Sequence, residues 1–306
     1  MNGGKGRRSL ACLLVLLLLF GCTKTPQGLL PEATAPTPMP TPIPEVLTID
    51  TPLPETPIPT PTPTATLTPT ATPTPTPTPL LVTAAMLDEG SYDRWFDDVL
   101  FVGDSLTRSL GNYVRGKREK DEDFLGKAQF MGTVSMSVKT ASANKANKGG
   151  ITFTYRGMAV SLTEGITETG ARKVLIMLGL NDIGYRKWSD VTQDFVTLIE
   201  TVQTACPDVQ LVLFGVLPVS EHYCRRHKIP IARWNSFNEI LSGVCKAHNV
   251  PFINFADRVA DDRGYLSAAY ADGDFHLKNA GKDVWIRAVR AFAAEETDPD
   301  ALIDPE

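Results

Sequence analysis

One apolar run near the start of the globular part ends abruptly at a short polar group. Residues 99–102 read Val-Leu-Phe-Val, which is typical of a strand buried on both faces, and Gly103, Asp104 and Ser105 follow at once. In open α/β sheets, ligands bind outside the carboxyl ends of the strands. This order of residues therefore predicts that the hydroxyl group of Ser105 lies at such an edge.

Two later segments carry polar groups that match this hydroxyl. A second apolar run, residues 173–178, ends at Gly-Leu-Asn-Asp in positions 179–182, and a late segment at 272–276 reads Asp-Gly-Asp-Phe-His. A histidine can take the proton of a serine hydroxyl, and a carboxylate can orient that histidine. Together the three segments indicate a serine hydrolase site.

Strand and helix patterns alternate along the globular part, which is typical of a parallel sheet with helices on both faces. The predicted strands are 99–102, 128–131, 174–178, 209–214 and 251–255, and the predicted helices are 106–115, 189–205, 231–247 and 279–294. A hairpin is predicted over 151–155 and 158–160, and the acidic tail at 298–306 is expected to fray. We therefore expect an α/β fold with three α/β/α layers and a central, mostly parallel, five-stranded sheet.

The three polar segments together resemble blocks one, three and five of the SGNH (GDSL) hydrolase superfamily. The resemblance runs from about residue 97 to residue 294, and the Gly-x-Asn-Asp block is its most specific part. Leu-Pro-Val at 217–219 and a tryptophan shortly after His276 are also similar to many secreted members from Firmicutes. Thr107 stands where a Gly-x-Ser-x-Gly elbow needs its second glycine, which disfavours the lipase-type α/β-hydrolase class.

The resemblance implies a catalytic role for Ser105 and an oxyanion hole around it. Ser105 would be the nucleophile, and its own N–H would be an oxyanion donor, since a helix N-terminus favours a developing anion. Asn181 would supply a second donor, and Gly132 or Ser135 would supply a third. Taken alone, Ser105 is better interpreted as a helix cap, and the alternative for Asn181 is a turn residue that bonds to its own backbone.

His276 would be the general base, but the residue that orients it stays open. The family has an aspartate three residues before this histidine, where this chain has Gly273. Asp274 is favoured if the backbone is extended, because residues two apart then share a side. Asp272 is the alternative, as the family's Asp-Gly pair with one residue inserted. Of the aspartates in the other two blocks, the resemblance implies that Asp104 and Asp182 hold loops.

The amino terminus reads as an export signal. Lys5, Arg7 and Arg8 precede an apolar stretch at 10–20, which is too short for a standard transmembrane helix. Residues 19–22, Leu-Phe-Gly-Cys, resemble a bacterial lipobox, so we expect Cys22 to be lipidated and to hold the protein at the cell surface. An ordinary cleaved signal or an uncleaved anchor is the alternative.

Three segments are therefore expected: a signal at 1–22, a linker at 23–80 and a hydrolase domain at 81–306. The linker is dominated by Thr-Pro dipeptides, and proline removes backbone donors, so extended polyproline II is its expected conformation. At about 3.1 Å per residue, such a tether reaches roughly 170 Å when stretched. It would hold a catalytic domain away from a membrane, unless it is a linker with no length requirement.

Charge and cysteine content limit the classes of partner and cofactor that we expect. The formal net charge is −5 and there is no long basic run, so we expect no nucleic acid partner. Cys206, Cys224 and Cys245 lack metal-type spacing and are predicted to be free and mostly buried, although one disulfide stays an alternative. We expect no metal and no other cofactor, because the sequence has no metal cluster, phosphate loop or dinucleotide fingerprint.

These features together predict an extracytoplasmic serine esterase. Its substrate would be an O-acylated polysaccharide or cell-wall glycan that loses small groups, acetyl above all, through an acyl-serine intermediate. Tyr185 and Trp188, shortly after Asn181, could stack on sugars, or they could pack in the core. The alternatives are an O-acyltransferase that uses the same site and a non-catalytic wall-binding module.

Overall fold

The structure, a computed structural model, describes residues 79–147 and 149–304. In chain order its strands are β1 (Leu81–Thr83), β2 (Val99–Gly103), β3 (Gln129–Gly132), β4 (Phe153–Tyr155), β5 (Met158–Val160), β6 (Lys173–Met177), β7 (Gln210–Phe214), β8 (Phe252–Ile253), β9 (Ala271–Asp272), β10 (His276–Leu277) and β11 (Leu302–Asp304). Its helices are α1 (Ala84–Asp88), α2 (Ser105–Arg118), α3 (Val138–Ser142), α4 (Leu162–Thr169), α5 (Leu180–Ile183), α6 (Trp188–Ala205), α7 (Glu221–His227), α8 (Ala232–Ala247) and α9 (Asn279–Thr297), with 3₁₀ turns at Asp93–Phe96 and Ala256–Val259. The expected signal, the lipobox Cys22 and nearly all of the linker lie outside the described residues.

Five parallel strands form the central sheet in the order β3-β2-β6-β7-β8, which confirms the predicted α/β fold. Side chains alternate across β2 because successive residues of a strand point to opposite faces. Leu100 and Val102 enter the hydrophobic cluster that includes α6 and α8. Val99 and Phe101 enter the opposite cluster, which includes α2 and α9. The sheet is therefore buried on both faces, as a three-layer fold requires.

The strand order reverses at β2. The chain runs from β2 to its neighbour β3 on one side, and then crosses to β6 on the other side. Such a switch point leaves a crevice at the carboxyl ends of the strands, where ligands bind in open α/β sheets. Ser105 follows β2 and Asn181 follows β6, so the fold places both residues at this crevice.

The strands and helices predicted from the sequence are present, with bounds that differ by a few residues, and β4 and β5 form the predicted hairpin. The expectation that the carboxyl-terminal tail frays was wrong. Strand β11 pairs in parallel with β1, with Leu81 opposite Leu302. Val82 of β1 is fully buried, and Ile303 of the tail packs against the same small apolar cluster, so apolar contact secures the acidic tail.

The three cysteines of the domain are free and buried, as predicted. Over residues 79–147 and 149–304, no helix is both long and apolar enough to cross a membrane.

Candidate active site

The junction between β2 and α2 positions Ser105. A Cβ atom at Gly103 would collide with the Thr107 side chain and the Met177 carbonyl oxygen, so only glycine lets β2 end this close to β6. The Asp104 carboxylate then caps α2 by accepting a hydrogen bond from the Leu106 N–H at 2.9 Å. Ser105 is the first residue of the helix, and the N–H groups of a first turn have no acceptor within the helix. The site is therefore suited to stabilise an anion beside the Ser105 hydroxyl.

His276 lies opposite this hydroxyl. It begins β10, which pairs with β9 in a short antiparallel hairpin. The distance between the Ser105 Oγ and the His276 Nε2 atoms is 3.0 Å, within the range for proton transfer. Both residues are partly exposed, so a substrate can reach them from solvent.

The two candidate aspartates lie in the same hairpin, and their contacts differ. Asp274 accepts a hydrogen bond from the Ser220 hydroxyl at 2.5 Å and an ion-paired one from Arg226 at 3.1 Å. Asp272 pairs with His276 through the backbone ladder, and its side chain is exposed. Among the residues that the structure describes, no hydrogen bond joins either carboxylate to the His276 ring. Which aspartate orients the base stays a prediction.

The Asn181 side chain contacts Asp104, the residue that precedes Ser105. Gly179, with a left-handed φ of 112°, ends the run after β6 and lets α5 begin there. The Asn181 side-chain amide then donates to the Asp104 carboxylate at 3.1 Å and to the Met136 carbonyl at 3.0 Å. The amide therefore contacts the residue next to Ser105. To bind a substrate oxyanion, it would give up one of these two acceptors.

The two candidates for the third oxyanion donor lie at the end of β3 and in the loop that follows it. Gly132 ends β3 and approaches the backbone of Arg108 so closely that a Cβ atom would collide with it. Ser135 is exposed and has a left-handed φ of 59°, in the loop before α3. The choice between them stays open.

Asp104 and Asp182 are both buried and hydrogen-bonded. Burial, together with the nearby Asp182 charge, raises the pKa of Asp104 to about 7 against the opposing effect of the Leu106 N–H. Burial also raises the pKa of Asp182, although the Val138 N–H and the Arg186 guanidinium favour its charged form. Their contacts to loop backbone fit the structural role that the resemblance implied.

Sequence reasoning missed the residues that hold the hairpin. Ser220 caps α7 through the Tyr223 N–H, and its own N–H donates to the Asp274 carbonyl at 2.8 Å. A serine directly before a helical pattern is a recognisable cap signal. Its second partner, Asp274, lies 54 positions later, so no local pattern could have indicated that contact.

Aromatic side chains surround His276 on one side. The Phe275 ring lies 4.8 Å from the His276 ring, and the Tyr223 ring lies 6.1 Å from that of Phe275. The Tyr223 hydroxyl is 2.7 Å from the hydroxyl of Tyr185, whose ring is 67% exposed. Trp188 is partly buried, and Arg233 lies over its ring at 5.0 Å.

This geometry supports nucleophilic acyl transfer. His276 can accept the Ser105 proton as the oxygen attacks an ester carbonyl, and can return it to the leaving alcohol. Water would then release the acyl group by the same route in reverse. The fold and the site together define a serine hydrolase of the three-layer α/β class.

A family model described as the GDSL-like lipase/acylhydrolase family matches residues 101–284. This match spans more than half of the sequence and includes Ser105, Asn181 and His276. The chain therefore belongs to the GDSL-like lipase/acylhydrolase family and is a serine esterase. No curated protein sequence matches the chain.

Solved structures of low sequence identity share the fold. A GDSL-like lipase from Bacteroides thetaiotaomicron is 14% identical, with a TM-score of 0.52 over 65% of this chain and 89% of that one. A protein from Bacteroides fragilis assigned as an acylhydrolase is 15% identical, with the same TM-score over 65% of this chain and 88% of that one.

Proposed function

We propose that this esterase removes small acyl groups, acetyl first, from an O-acylated carbohydrate or cell-wall polymer outside the cytoplasm. The observation that carries the proposal is the Ser105–His276 pair, which is joined at 3.0 Å and partly exposed at the edge of the sheet. A nucleophile open to solvent can meet an ester that projects from a polymer. It needs no deep pocket for the rest of the substrate.

The preference for a small acyl group follows from this exposure. Two clefts of the described residues, of about 660 and 530 Å³, are lined by residues other than Ser105 and His276. Full burial of a methylene stabilises a complex by about 0.8 kcal/mol, and an open site gains less from each one. We therefore expect little benefit from a long acyl chain.

The preference for a carbohydrate rests on aromatic rings near the site. Tyr185 is mostly exposed, yet its hydroxyl is held by Tyr223, so its ring presents a fixed face to solvent. Such faces pack well against the C–H groups of sugars, and a held ring loses little entropy on binding.

The extracytoplasmic location rests on the sequence. A basic and apolar start, a lipobox-like Cys22 and a Thr/Pro tether are together typical of a lipid-anchored surface protein. The membrane and the acylated glycan are the partners that this arrangement implies.

Hydrolysis of a p-nitrophenyl ester series tests the chemistry. We expect kcat/KM to fall from acetate to butyrate to octanoate, and acetate release from acetylated glycans to exceed fatty acid release from triglycerides. Ser109→Ala, one turn along α2 from the nucleophile, is a matched control that should keep wild-type rates. A kcat/KM that rises steadily with acyl length would contradict the proposal and indicate a lipase or thioesterase.

The same assay separates the esterase from an acyltransferase. With p-nitrophenyl acetate and a glycan acceptor, an esterase releases free acetate, whereas an acyltransferase transfers the acetyl group to the glycan. Dominant transfer at millimolar acceptor would overturn the hydrolytic assignment.

Lipid labelling in the producing cell tests the location. The wild-type protein should incorporate labelled lipid and sediment with membranes, because two acyl chains anchor firmly. Cys22→Ala should lose the label and leave the membrane fraction, whereas Cys12→Ala, within the apolar stretch, serves as the control. Unlabelled wild-type protein in the medium would exclude the anchor.

A further inference from the structure

A cleft of about 470 Å³ lies beside the aromatic residues near His276. We call it the Tyr185 cleft, and its lining includes Tyr185, Trp188, Lys228, Ile229, Pro230 and Arg233. Three side chains in contact connect it to His276: Tyr185 is hydrogen-bonded to Tyr223, whose ring lies perpendicular to that of Phe275, the neighbour of His276. Two side chains, those of Tyr223 and Phe275, therefore lie between the Tyr185 hydroxyl and His276.

The cleft carries positive charge in a chain that is negative overall. Its lining contains Lys228 and Arg233 and no acidic residue, while the formal net charge of the chain is −5. Arg233 donates to the carbonyl oxygens of Ile183 and Arg186, so its position is fixed although no carboxylate neutralises its charge within residues 79–147 and 149–304. Lys228 is exposed and likewise forms no ion pair with any described residue.

An oriented aromatic face lies beside these two cations. Two contacts hold Tyr185: its ring lies perpendicular to that of His227 with 6.1 Å between centroids, and its hydroxyl is 2.7 Å from that of Tyr223. A sugar ring can stack on Tyr185, and an anionic substituent on that sugar, or on the next one, can then meet Lys228. Cations that no carboxylate neutralises favour an anion both in encounter and in the bound state.

From this arrangement we infer that the Tyr185 cleft is a subsite for an anionic sugar unit, so that the substrate is an acylated polyanionic glycan. The inference rests on the proposed function and sharpens its substrate class. The anionic group is a carboxylate of a uronic acid or a phosphate of a phosphodiester-linked polymer, and both present the same chemistry to Lys228.

Two substrates with the same sugar backbone and different charge test the subsite. Acetylated oligogalacturonides carry carboxylates, and the same oligosaccharides with those carboxylates converted to primary amides do not. Acetate release gives kcat/KM for each, divided by the value for p-nitrophenyl acetate with the same variant, so that damage to the catalytic pair cancels. Wild type should prefer the anionic substrate, and the preference should shrink as salt rises from about 0.05 to 0.5 M because screening strengthens.

Variants locate the preference in the cleft. Lys228→Asn should lower it roughly two- to fivefold, as expected for one exposed charge pair, and asparagine tolerates the left-handed backbone at this position. Tyr185→Ala should lower kcat/KM for both oligosaccharides by roughly two- to tenfold. Lys246→Asn, an equally exposed lysine at the end of α8, is the matched control and should change nothing. Equal wild-type rates on the two substrates, or a preference that survives Lys228→Asn, would overturn the inference.

Competition distinguishes the two sources of charge. Polygalacturonate and poly(glycerol phosphate) are added as inhibitors of the wild type and of Lys228→Asn, with unsubstituted xylan as the neutral control. Inhibition by one polyanion that weakens in the variant identifies the carboxylate or the phosphate, and inhibition by neither overturns the subsite. If p-nitrophenyl acetate is not hydrolysed at all, the proposed function fails, and titration of oligogalacturonide binding to the two proteins still decides the subsite.

Discussion

The proposed nucleophile and the proposed base of this esterase are supported by the fold in different ways. Ser105 lies between a fully buried central strand and a 14-residue helix, and its neighbour Asp104 is almost completely buried. His276 lies on a hairpin of two-residue strands at the surface. Polar contacts from Asp274 to Ser220 and Arg226 hold that hairpin. Core packing therefore fixes one half of the catalytic pair, and a few hydrogen bonds fix the other.

Removing either reacting group should have the largest effect on turnover. The size of the loss should be the same for both residues, although the fold supports them in different ways. Ser105→Ala and His276→Ala should each lower kcat for p-nitrophenyl acetate by on the order of 10⁴-fold, because the two groups act as one unit. The double variant should be little worse than either single one. Melting temperatures should stay near that of wild type, since both side chains are partly exposed. Near-wild-type turnover by Ser105→Ala would refute the nucleophile.

Asp104, on the buried side of the site, should make the stability of the protein depend on pH. Burial raises the pKa of Asp104 from 3.8 to about 7, so the folded state binds a proton that the unfolded state has already released between those values. The Asp104 contribution to the free energy of unfolding should therefore fall as pH rises from about 4 to about 7, by on the order of 4 kcal/mol, and stay level above that.

Asp104→Asn should remove this fall, even though it also loses a hydrogen bond to Leu106 or to Asn181. Urea unfolding at several pH values between 4 and 8 measures the difference between wild type and variant. Asp190→Asn, an exposed carboxylate at the start of α6, controls for the loss of one negative charge. Parallel curves for wild type and Asp104→Asn would show that Asp104 is ionised throughout.

Substitutions that loosen the β9–β10 hairpin should lower activity more than they lower stability. If Asp274 acts by anchoring the hairpin, Asp274→Asn and Ser220→Ala should each lower kcat by about 10- to 100-fold, since small displacements of a reacting group are costly. Thermal unfolding should change little. Such a result would make Asp274 and Ser220 positioning residues.

The same variants separate the other assignments of the acid. If Asp274 reaches the imidazole during turnover, Asp274→Asn should cost about 10⁴-fold while Ser220→Ala stays mild. A large loss confined to Asp272→Asn would assign the role to Asp272 and overturn the preference for Asp274. Full activity in all three variants would indicate a Ser105–His276 dyad.

The smallest effect is expected for the ion pair at the surface. The Arg226 side chain is 53% exposed, and such pairs contribute about 0–1 kcal/mol, so Arg226→Gln should lower kcat/KM at most about fivefold. Arg225→Gln, its exposed neighbour, is the control. A loss as large as that of Ser220→Ala would mean that charge, rather than the serine hydroxyl, holds the hairpin.

The buried half of the site could be predicted from the sequence, because its signals are local. An apolar run that stops at Gly-Asp-Ser specifies both strand and helix start, and the same holds for the run before Asn181. The hairpin half could be predicted only in part. The preference for Asp274 assumed an extended backbone, but residues 273–275 form the turn that joins β9 to β10. Residues two apart then no longer share a side, and Asp274 faces Ser220 instead.

Long-range contacts account for the remaining differences. The pairing of β1 with β11 joins residues more than 200 positions apart, and neither three-residue strand has a pattern of its own. The bonds from Asn181 to Asp104 and to Met136 likewise connect separate loops. Such contacts follow from the packed fold and cannot be read from a single segment.

The parallel pairing of β1 with β11 has a consequence for how the domain can be rearranged. Leu81 and Asp304 lie at opposite ends of one three-residue ladder, so a bridge of a few residues would span the gap between them. A circular permutant opened in the β4–β5 hairpin turn at Arg156-Gly157 would then keep every strand of the central sheet intact. The order of the elements along the chain would then change, while Ser105 and His276 would keep their positions relative to each other.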